Sequence, residues 1–236
     1  MSLIPPGRQL SLFGVEAAEP SPADLAGLLA GPGQVVRMGG TARVSIVVDA
    51  PWRVHVLIAE IALRGLSATW VPTVDSHLGV RTAYARSLAP LGDTWLRGAV
   101  KRPPPGFHLD GPRLRLWVAA AGTPGPLGFL LRLGPSDELC WDAVGAALAA
   151  LGLPPVLVGP RAGRAAGEVP KRAAVLEAEP EQGSPVPVQS GTGEEPAEAA
   201  PITGPAYRIT GRRRLARLAE LVGERPPAAP PDAWPT

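Results

Sequence analysis

The chain has 236 residues, including 30 prolines and 28 glycines, and a formal net charge of only +2. Its length allows one domain of moderate size or two small ones, and its charge alone does not suggest a nucleic-acid partner. The single cysteine, Cys140, excludes an internal disulfide and a cysteine metal cluster. The lack of a secretion-signal pattern and of any apolar run of about 18 residues predicts a cytoplasmic protein.

Residues 1–20 are predicted to form a flexible tail that carries one short motif, Gln9-Leu10-Ser11-Leu12-Phe13. All five positions resemble the peptide with which bacterial replication and repair proteins bind the DNA polymerase sliding clamp, its beta subunit. The resemblance implies that Gln9 hydrogen-bonds at one subsite, that Leu12 and Phe13 fill a hydrophobic pocket with Leu10 beside them, and that Ser11 faces outward. In the alternative, the three apolar residues form a terminal strand or cover the core.

The next segment predicts a short helix that ends where a strand begins. Ser21 is a favourable N-cap residue, and Asp24 places a carboxylate at the third helical position. The leucines within 25–29 share one helical face, and Gly27 leaves room for a neighbouring backbone. Gly31-Pro32-Gly33 must end the helix.

The elements that follow complete a first repeat. Residues 34–37 and 42–48 predict a hairpin around Gly39-Gly40. A helix from Pro51 to about Arg64, capped by Asp49, carries apolar residues at helical spacing. Residues 67–74 and 79–86 predict a second hairpin, and 88–91 begin a closing helix. The predicted order is αββαββα.

The same order is predicted again from Asp93. A degenerate copy of the first helix, Leu96-Arg97-Gly98-Ala99-Val100-Lys101-Arg102-Pro103-Pro104, lies in a predicted helix over 94–102. Gly98 takes the place of Gly27 in this copy. Strands over 113–120 and 127–133, a helix capped by Ser136, strands over 155–158 and 206–210, and a helix over 212–222 follow.

Four segments of the chain are predicted on this basis. They are a tail over 1–20, a first repeat over 21–92, a second repeat over 93–223, and a Pro-rich tail over 224–236. Residues 160–204 interrupt the second repeat, contain no aromatic residue and are rich in Ala, Pro, Gly and Glu. This composition predicts a disordered insertion.

Leu25-Ala26-Gly27-Leu28-Leu29, followed by Gly33, resembles the signature helix of the LAGLIDADG homing-endonuclease family. The resemblance implies an α+β fold in which duplicated αββαββα repeats form a pseudo-twofold saddle of antiparallel sheets, with a disordered N-terminus, insertion and C-terminal tail. In that family two such helices pack side by side through their small residues, so the resemblance implies that Gly27 and Gly98 lie at the interface between the repeats. The two acidic positions of the family are Ala30 and Pro32 here, and the degenerate copy also lacks a carboxylate. The resemblance therefore implies a monomer that binds double-stranded DNA without cutting it, with no metal or cofactor, as in WhiA sporulation regulators.

The predicted sheet faces supply candidate DNA contacts. Arg113, Arg115 and Trp117 alternate along one predicted strand, as phosphate and base contacts would require. The same face is predicted to add Arg43, Ser45, Arg81, Arg132 and Arg208. The alternative for each arginine is a solvated surface position. Arg212-Arg213-Arg214 and Arg217 could touch phosphates or form the outer face of the last helix.

Three functional hypotheses follow. The first is a non-catalytic, nucleoid-associated DNA-binding accessory protein of replication or repair, tethered to the sliding clamp by Gln9–Phe13. The second is a WhiA-like transcription regulator, whose footprint would survive deletion of residues 1–20. The third is a residual homing endonuclease that recruits displaced carboxylates. The aspartates and histidines lack metal-ligand spacing, so we expect no metal site and no enzyme.

Overall fold

The structure is a computed structural model that describes residues 14–15, 19–73, 76–159 and 204–236. The predicted clamp motif, Gln9–Phe13, lies outside the described residues, as does the predicted insertion apart from Gly204. The described residues all belong to one compact unit.

The described chain contains six helices and ten strands. The helices are α1 (Ala26–Ala30), α2 (Pro51–Leu63), α3 (Ala89–Trp95), α4 (Gly111–Ala121), α5 (Glu138–Ala150) and α6 (Arg212–Val222). The strands of the first half are β1 (Gln34–Met38), β2 (Thr41–Val48), β3 (Ala68–Pro72), β4 (Leu78–Thr82), β5 (Leu96–Arg97) and β6 (Val100–Lys101). The remaining strands are β7 (Gly122–Gly125), β8 (Gly128–Arg132), β9 (Val156–Val158) and β10 (Ala206–Ile209). None of the helices in this part of the chain is long and apolar enough to cross a membrane.

Two four-stranded antiparallel sheets dominate the architecture. The first sheet has the order β1-β2-β4-β3 and the second has the order β7-β8-β10-β9, so both place their strands in the same sequence of first, second, fourth and third. A helix precedes each sheet, another lies between its two hairpins, and a third follows it. The strands β5 and β6 form a separate two-stranded hairpin. The fold is therefore α+β with antiparallel sheets, as the sequence predicted.

The paired helices α1 and α4 lie at the centre of the core. Leu25, Leu28 and Leu29 of the first helical segment and Leu114 and Trp117 of α4 are buried, with at most 1% of each residue exposed. A methyl group built at Gly27 would overlap the carbonyl oxygen of Arg113 and lie 2.6 Å from its carbonyl carbon. The two backbones can approach this closely because Gly27 has no side chain.

The helices and hairpins predicted between residues 21 and 92 are confirmed. Ser21 accepts a hydrogen bond from the backbone of this first turn, and Asp24 accepts one from the Ser21 amide, which completes a capping box. The first turn, Pro22–Leu25, is a 3-10 helix that continues into α1. The hairpin β1–β2 turns at Gly39 and Gly40, which both have positive φ. Asp49 was wrongly predicted as a cap, because the N-cap of α2 is Ala50.

The predicted second helix over 94–102 is wrong. Helix α3 ends at Trp95, and the chain then forms the hairpin β5–β6 around Gly98, whose φ is +64°. Gly98 faces open space and lies in this hairpin, not at the interface between α1 and its partner helix. A left-handed glycine that suits a tight turn was mistaken for a glycine at a helix contact.

The predicted strand over 113–120 is also wrong, because these residues belong to α4. The Asp110 side chain accepts a hydrogen bond from the Arg113 amide, and Pro112 lies in the first turn, which are strong helix-start features. From Leu114 to Ala121 only Arg115 is not buried, since α4 is surrounded by other elements. A helix that is apolar on all sides gives no amphipathic signal, so its alternating residues resembled a strand.

The expected disordered tail after residue 223 is wrong as well. Ala229 and Trp234 are buried in the main core. The Trp234 indole donates a hydrogen bond to the Gly223 carbonyl over 3.2 Å, and the Arg115 guanidinium lies 5.2 Å from its ring centroid. The prolines therefore shape a packed segment.

Candidate nucleic-acid interface

One face of the first sheet packs on the core. We call the opposite face the outer face of the first sheet. Antiparallel register aligns Gln34, Ser45, Arg81 and Thr69 across its four strands. Arg43 lies on the same face because it is two residues from Ser45 along β2. The alternate residues of β2, including Val44 and Ile46, are buried in the core.

The two arginines of this face differ in their surroundings. The guanidinium of Arg43 lies 4.7 Å from the centroid of the Tyr84 ring and is partly buried, which restricts its motion. Its Nε is buried without a hydrogen-bond partner. Arg81 is exposed in the centre of the sheet, on β4. The face thus presents one oriented and one solvated cation.

The outer face of the second sheet is built in the same way. Thr123, Leu130, Arg208 and Val156 align across its four strands, and Arg132 lies on the same face two residues beyond Leu130. The Arg132 guanidinium is held by Asp49, with an Nη2–Oδ2 distance of 2.6 Å, and both side chains are about one-third exposed. Arg208 is therefore the less constrained cation of this face.

The strands of the two sheets share one property of charge. They contain five arginines, Arg37, Arg43, Arg81, Arg132 and Arg208, and no aspartate or glutamate. Four of these arginines lie on the outer faces, while Arg37 forms an exposed ion pair with Asp93 over 3.0 Å. The outer faces consequently suit a polyanionic ligand.

Three residues predicted to contact DNA lie elsewhere. Arg113, at the start of α4, donates to the His108 carbonyl over 2.8 Å. Arg115 is bonded to Glu60 over 2.6 Å and to two carbonyls near the end of α6. Trp117 is fully buried and donates its indole hydrogen to the Arg132 carbonyl over 2.9 Å. Because α4 is a central helix, the predicted strand face formed by these three residues does not exist.

A buried arginine lies at the carboxyl end of α4. Arg53 of α2 donates to the carbonyls of Ala119 and Gly122 over 2.9 and 2.6 Å, and its Nε bonds Asp49 over 2.8 Å. Burial alone disfavours the charged form of Asp49, but Arg53 and Arg132 outweigh this effect and lower the pKa of its carboxyl group below the ordinary 3.8. A cation here also offsets the negative end of the helix dipole.

A buried lysine occupies the corresponding place beside α1. The Lys101 ammonium donates to the carbonyls of Gly31 and Gly33 over 3.0 and 2.7 Å, and it lies 2.5 Å from an oxygen of Asp137. Gln34 donates to the same carboxylate over 3.3 Å. Burial lowers the pKa of Lys101, and the contact with Asp137 opposes this shift. Each of the paired helices thus ends on a cation supplied by another element.

Cys140 packs beside this lysine. It is buried, and its thiol approaches the Lys101 carbonyl at 3.5 Å. Burial raises the pKa of the Cys140 thiol to about 11, so the side chain packs as a small neutral group. Cys140 therefore belongs to the core.

Sequence reasoning missed this buried charge. Arg53, Lys101 and Asp137 were not singled out, because most of the groups that they contact lie far away in sequence. The local signals were two ion pairs of residues four apart, Asp49 with Arg53 and Glu60 with Arg64, each at 2.8 Å. Arg64 also bonds Asp24 over 3.0 Å.

The side chains of Ala30 and Pro32, at the carboxyl end of α1, cannot ligate a metal ion. Ala30 and Pro32 have no ligand atoms, and the carbonyls that point outward at both ends accept hydrogen bonds from Lys101 or Arg53. Among the residues that the structure describes, no group of three or more His, Cys, Asp or Glu could hold a metal ion.

The fold is similar to that of a homing endonuclease. Among solved structures, one that matches is the homing endonuclease I-WcaI bound to its DNA recognition sequence. The match has a TM-score of 0.50 and 9% sequence identity, and it covers 94% of this chain and 90% of that chain. No protein-family model and no curated protein matches the sequence.

This likeness corrects one prediction from the sequence. We expected a chain that is not an enzyme, because the signature helix lacks its acidic residues. The matching structure is that of an enzyme, an endonuclease, and contradicts that expectation. The sequence-based exclusion of enzymatic activity is therefore withdrawn.

Proposed function

We propose that this protein binds double-stranded DNA on the outer faces of its two sheets, as a monomer whose two halves are related by a pseudo-twofold axis. The observation that carries the proposal is the charge of the strands, which hold five arginines and no acidic residue. The fold supports it, because I-WcaI, which has a similar fold, is bound to DNA in its structure.

The arginines of the outer faces suit different contacts with a duplex. Among the residues that the structure describes, Arg81 and Arg208 form no ion pair with a carboxylate, so their charges are available to phosphates. Arg43 is braced by Tyr84, which suits a directed contact with a base edge or a phosphate. Arg132 is neutralised by Asp49 and serves mainly to position the strand end.

Replacing Arg81 tests the proposed contacts. We expect Arg81→Gln to weaken DNA binding and to reduce the slope of log K against log salt by about 0.9, the value for one lost phosphate contact. The matched control is Arg113→Gln, which removes the same charge from the start of α4. Fluorescence anisotropy with a labelled duplex at several salt concentrations measures both slopes. Equal slopes for the two variants would remove the outer face of the first sheet from the interface.

The proposal includes a tether to the DNA polymerase sliding clamp through Gln9–Phe13. The motif is followed directly by Gly14 and Val15, and Val15 packs closely against Gly111 and Gly223. A clamp bound to the motif would therefore be held close to the folded unit, and a short connection gives a high effective concentration. Two individually weak contacts would then act together at replicating or repaired DNA.

A clamp titration tests the tether separately from the DNA surface. We expect the chain to bind a bacterial sliding clamp at roughly micromolar strength, about −8 kcal/mol. Leu12→Ala/Phe13→Ala should abolish this binding, whereas Leu3→Ala/Ile4→Ala, which alters apolar residues of the same tail, should not. Binding can be followed by calorimetry. If neither the wild type nor the control binds the clamp, the tether is wrong, and a footprint that survives deletion of residues 1–20 would favour the transcription regulator.

A further inference from the structure

The outer face of the first sheet is more apolar than a solvated sheet face should be. Val36, Met38, Val47 and Val71 are 43%, 58%, 54% and 37% exposed. The strand register places all four on the face of Arg43 and Arg81. Antiparallel sheets with one solvated face normally present polar residues there, so four exposed aliphatic side chains on one face indicate a binding surface.

The apolar residues form an ordered pattern. Val47 and Val71 flank Gly79, which has no side chain, in one row across β2, β4 and β3. Val36 lies beside Arg43 in the neighbouring strand β1. Residues on one face of a strand repeat about every 6.8 Å, close to two steps of about 3.4 Å along a DNA strand.

Resting on the proposed function, we infer that the outer face of the first sheet reads the C5-methyl groups of thymine in the major groove. Among the base edges in that groove, the thymine methyl is the apolar feature, and aliphatic side chains recognise it by contact. The neighbouring charges favour DNA over a protein partner, because the strands of this face carry Arg43 and Arg81 and no carboxylate. In this arrangement the two arginines contact the phosphate backbone of the DNA, and the aliphatic side chains select the base.

A pair of duplexes that differ only in methyl groups tests this inference. An alternating A·T duplex is compared with the same duplex containing uracil in place of thymine, which leaves every donor and acceptor of the base pairs unchanged. We expect the uracil duplex to bind about three- to fourfold more weakly for each methyl group in contact. Methylation of cytosine at C5 in an alternating G·C duplex should strengthen binding relative to the unmethylated duplex, because it adds the same kind of methyl group to the major groove.

A nearly isosteric variant separates side-chain recognition from DNA shape. Val36→Thr/Val47→Thr/Val71→Thr keeps β-branched side chains at exposed positions and replaces one methyl group of each with a hydroxyl. Because each threonine keeps one methyl group, this variant should show a smaller preference for the thymine duplex than the wild type, whereas the control Val100→Thr, in the β5–β6 hairpin, should retain the full difference. Both variants should keep the thermal stability of the wild type.

Each outcome decides the inference. Equal binding of both duplexes by the wild type would overturn it while leaving the proposed function intact. So would a preference for thymine that is undiminished in the triple variant, since DNA shape would then be the cause. If no duplex binds, the proposed function fails and the inference fails with it. Self-association of the wild type that the triple variant abolishes, seen by sedimentation, would instead assign the face to a second copy of the chain.

Discussion

Lys101→Met is expected to lower the free energy of unfolding by about 3–5 kcal/mol, because it leaves a buried carboxylate without its cation. The side chains of Lys101 and Asp137 are 3% and 9% exposed, so solvent cannot replace the lost partner. The carbonyls of Gly31 and Gly33 lose their donor at the same time. Denaturant unfolding, with the m-value fixed by the wild type, measures the loss.

Two further variants identify the cause of that loss. Arg102→Met removes the same charge from the neighbouring, exposed position and should change stability by less than about 0.5 kcal/mol. Lys101→Met/Asp137→Leu removes both charges and should recover part of the stability lost by Lys101→Met, since no unpaired carboxylate remains. A loss as small for Lys101→Met as for Arg102→Met would show that the buried pair does not support the end of α1.

Gly27→Ala is expected to destabilise the fold by about 3 kcal/mol, at the upper end of the usual cost of overpacking. Alanine is ordinarily the better helix former, by about 1 kcal/mol. Here the added methyl group would lie 2.6 Å from the carbonyl carbon and 2.8 Å from the Cα of Arg113. Both atoms belong to the backbone of α4, so the two central helices must separate.

Gly92→Ala is the matched control for this prediction. Gly92 is also in a helix, but the nearest obstacles to a methyl group are side-chain atoms, Cγ of Arg37 at 2.7 Å and Cβ of Ala42 at 3.1 Å. The exposed Arg37 side chain can move aside but Cβ of Ala42 cannot, so the loss of stability should be smaller than for Gly27→Ala, at about 1–2 kcal/mol. Thermal denaturation of both variants compares them directly. Equal effects at the two positions would mean that the close approach of α1 and α4 is unimportant for stability.

The first half of the fold could be predicted because its patterns are local. The capping box at Ser21, the glycine turn at 39–40 and the alternation in β2 are each set by neighbouring residues. Helix α2 was predicted within a residue of its observed end, since one of its faces meets the core and the other meets solvent.

The second half was predicted less well because its central helix is surrounded by protein. α4 carries no polar face, and its Arg-Leu-Arg-Leu-Trp segment alternates like a strand. The degenerate motif over 96–104 then supplied a false partner for α1. The true partner helix is identified by contacts between residues far apart in sequence, such as that between Gly27 and the backbone of Arg113.

Residues of the candidate interface were predicted correctly where the strand that carries them was predicted correctly. Five predicted contact residues do lie on the outer faces, because the strands that carry them were predicted correctly. They are Arg43, Ser45, Arg81, Arg132 and Arg208. Arg113, Arg115 and Trp117 were misplaced together with α4. The apolar pattern of Val36, Val47 and Val71 requires the register of four strands, which no local sequence pattern specifies.

The most direct test of DNA binding by the sheets is a titration of the full-length chain with a long mixed-sequence duplex. At about 50 mM salt we predict saturable binding that weakens linearly in log K against log salt up to about 200 mM. Arg43→Gln/Arg81→Gln/Arg208→Gln, folded to the same thermal stability, should lose most of this affinity. The absence of saturable binding at the lower salt concentration, or a triple variant that binds as tightly as the wild type, would contradict the account.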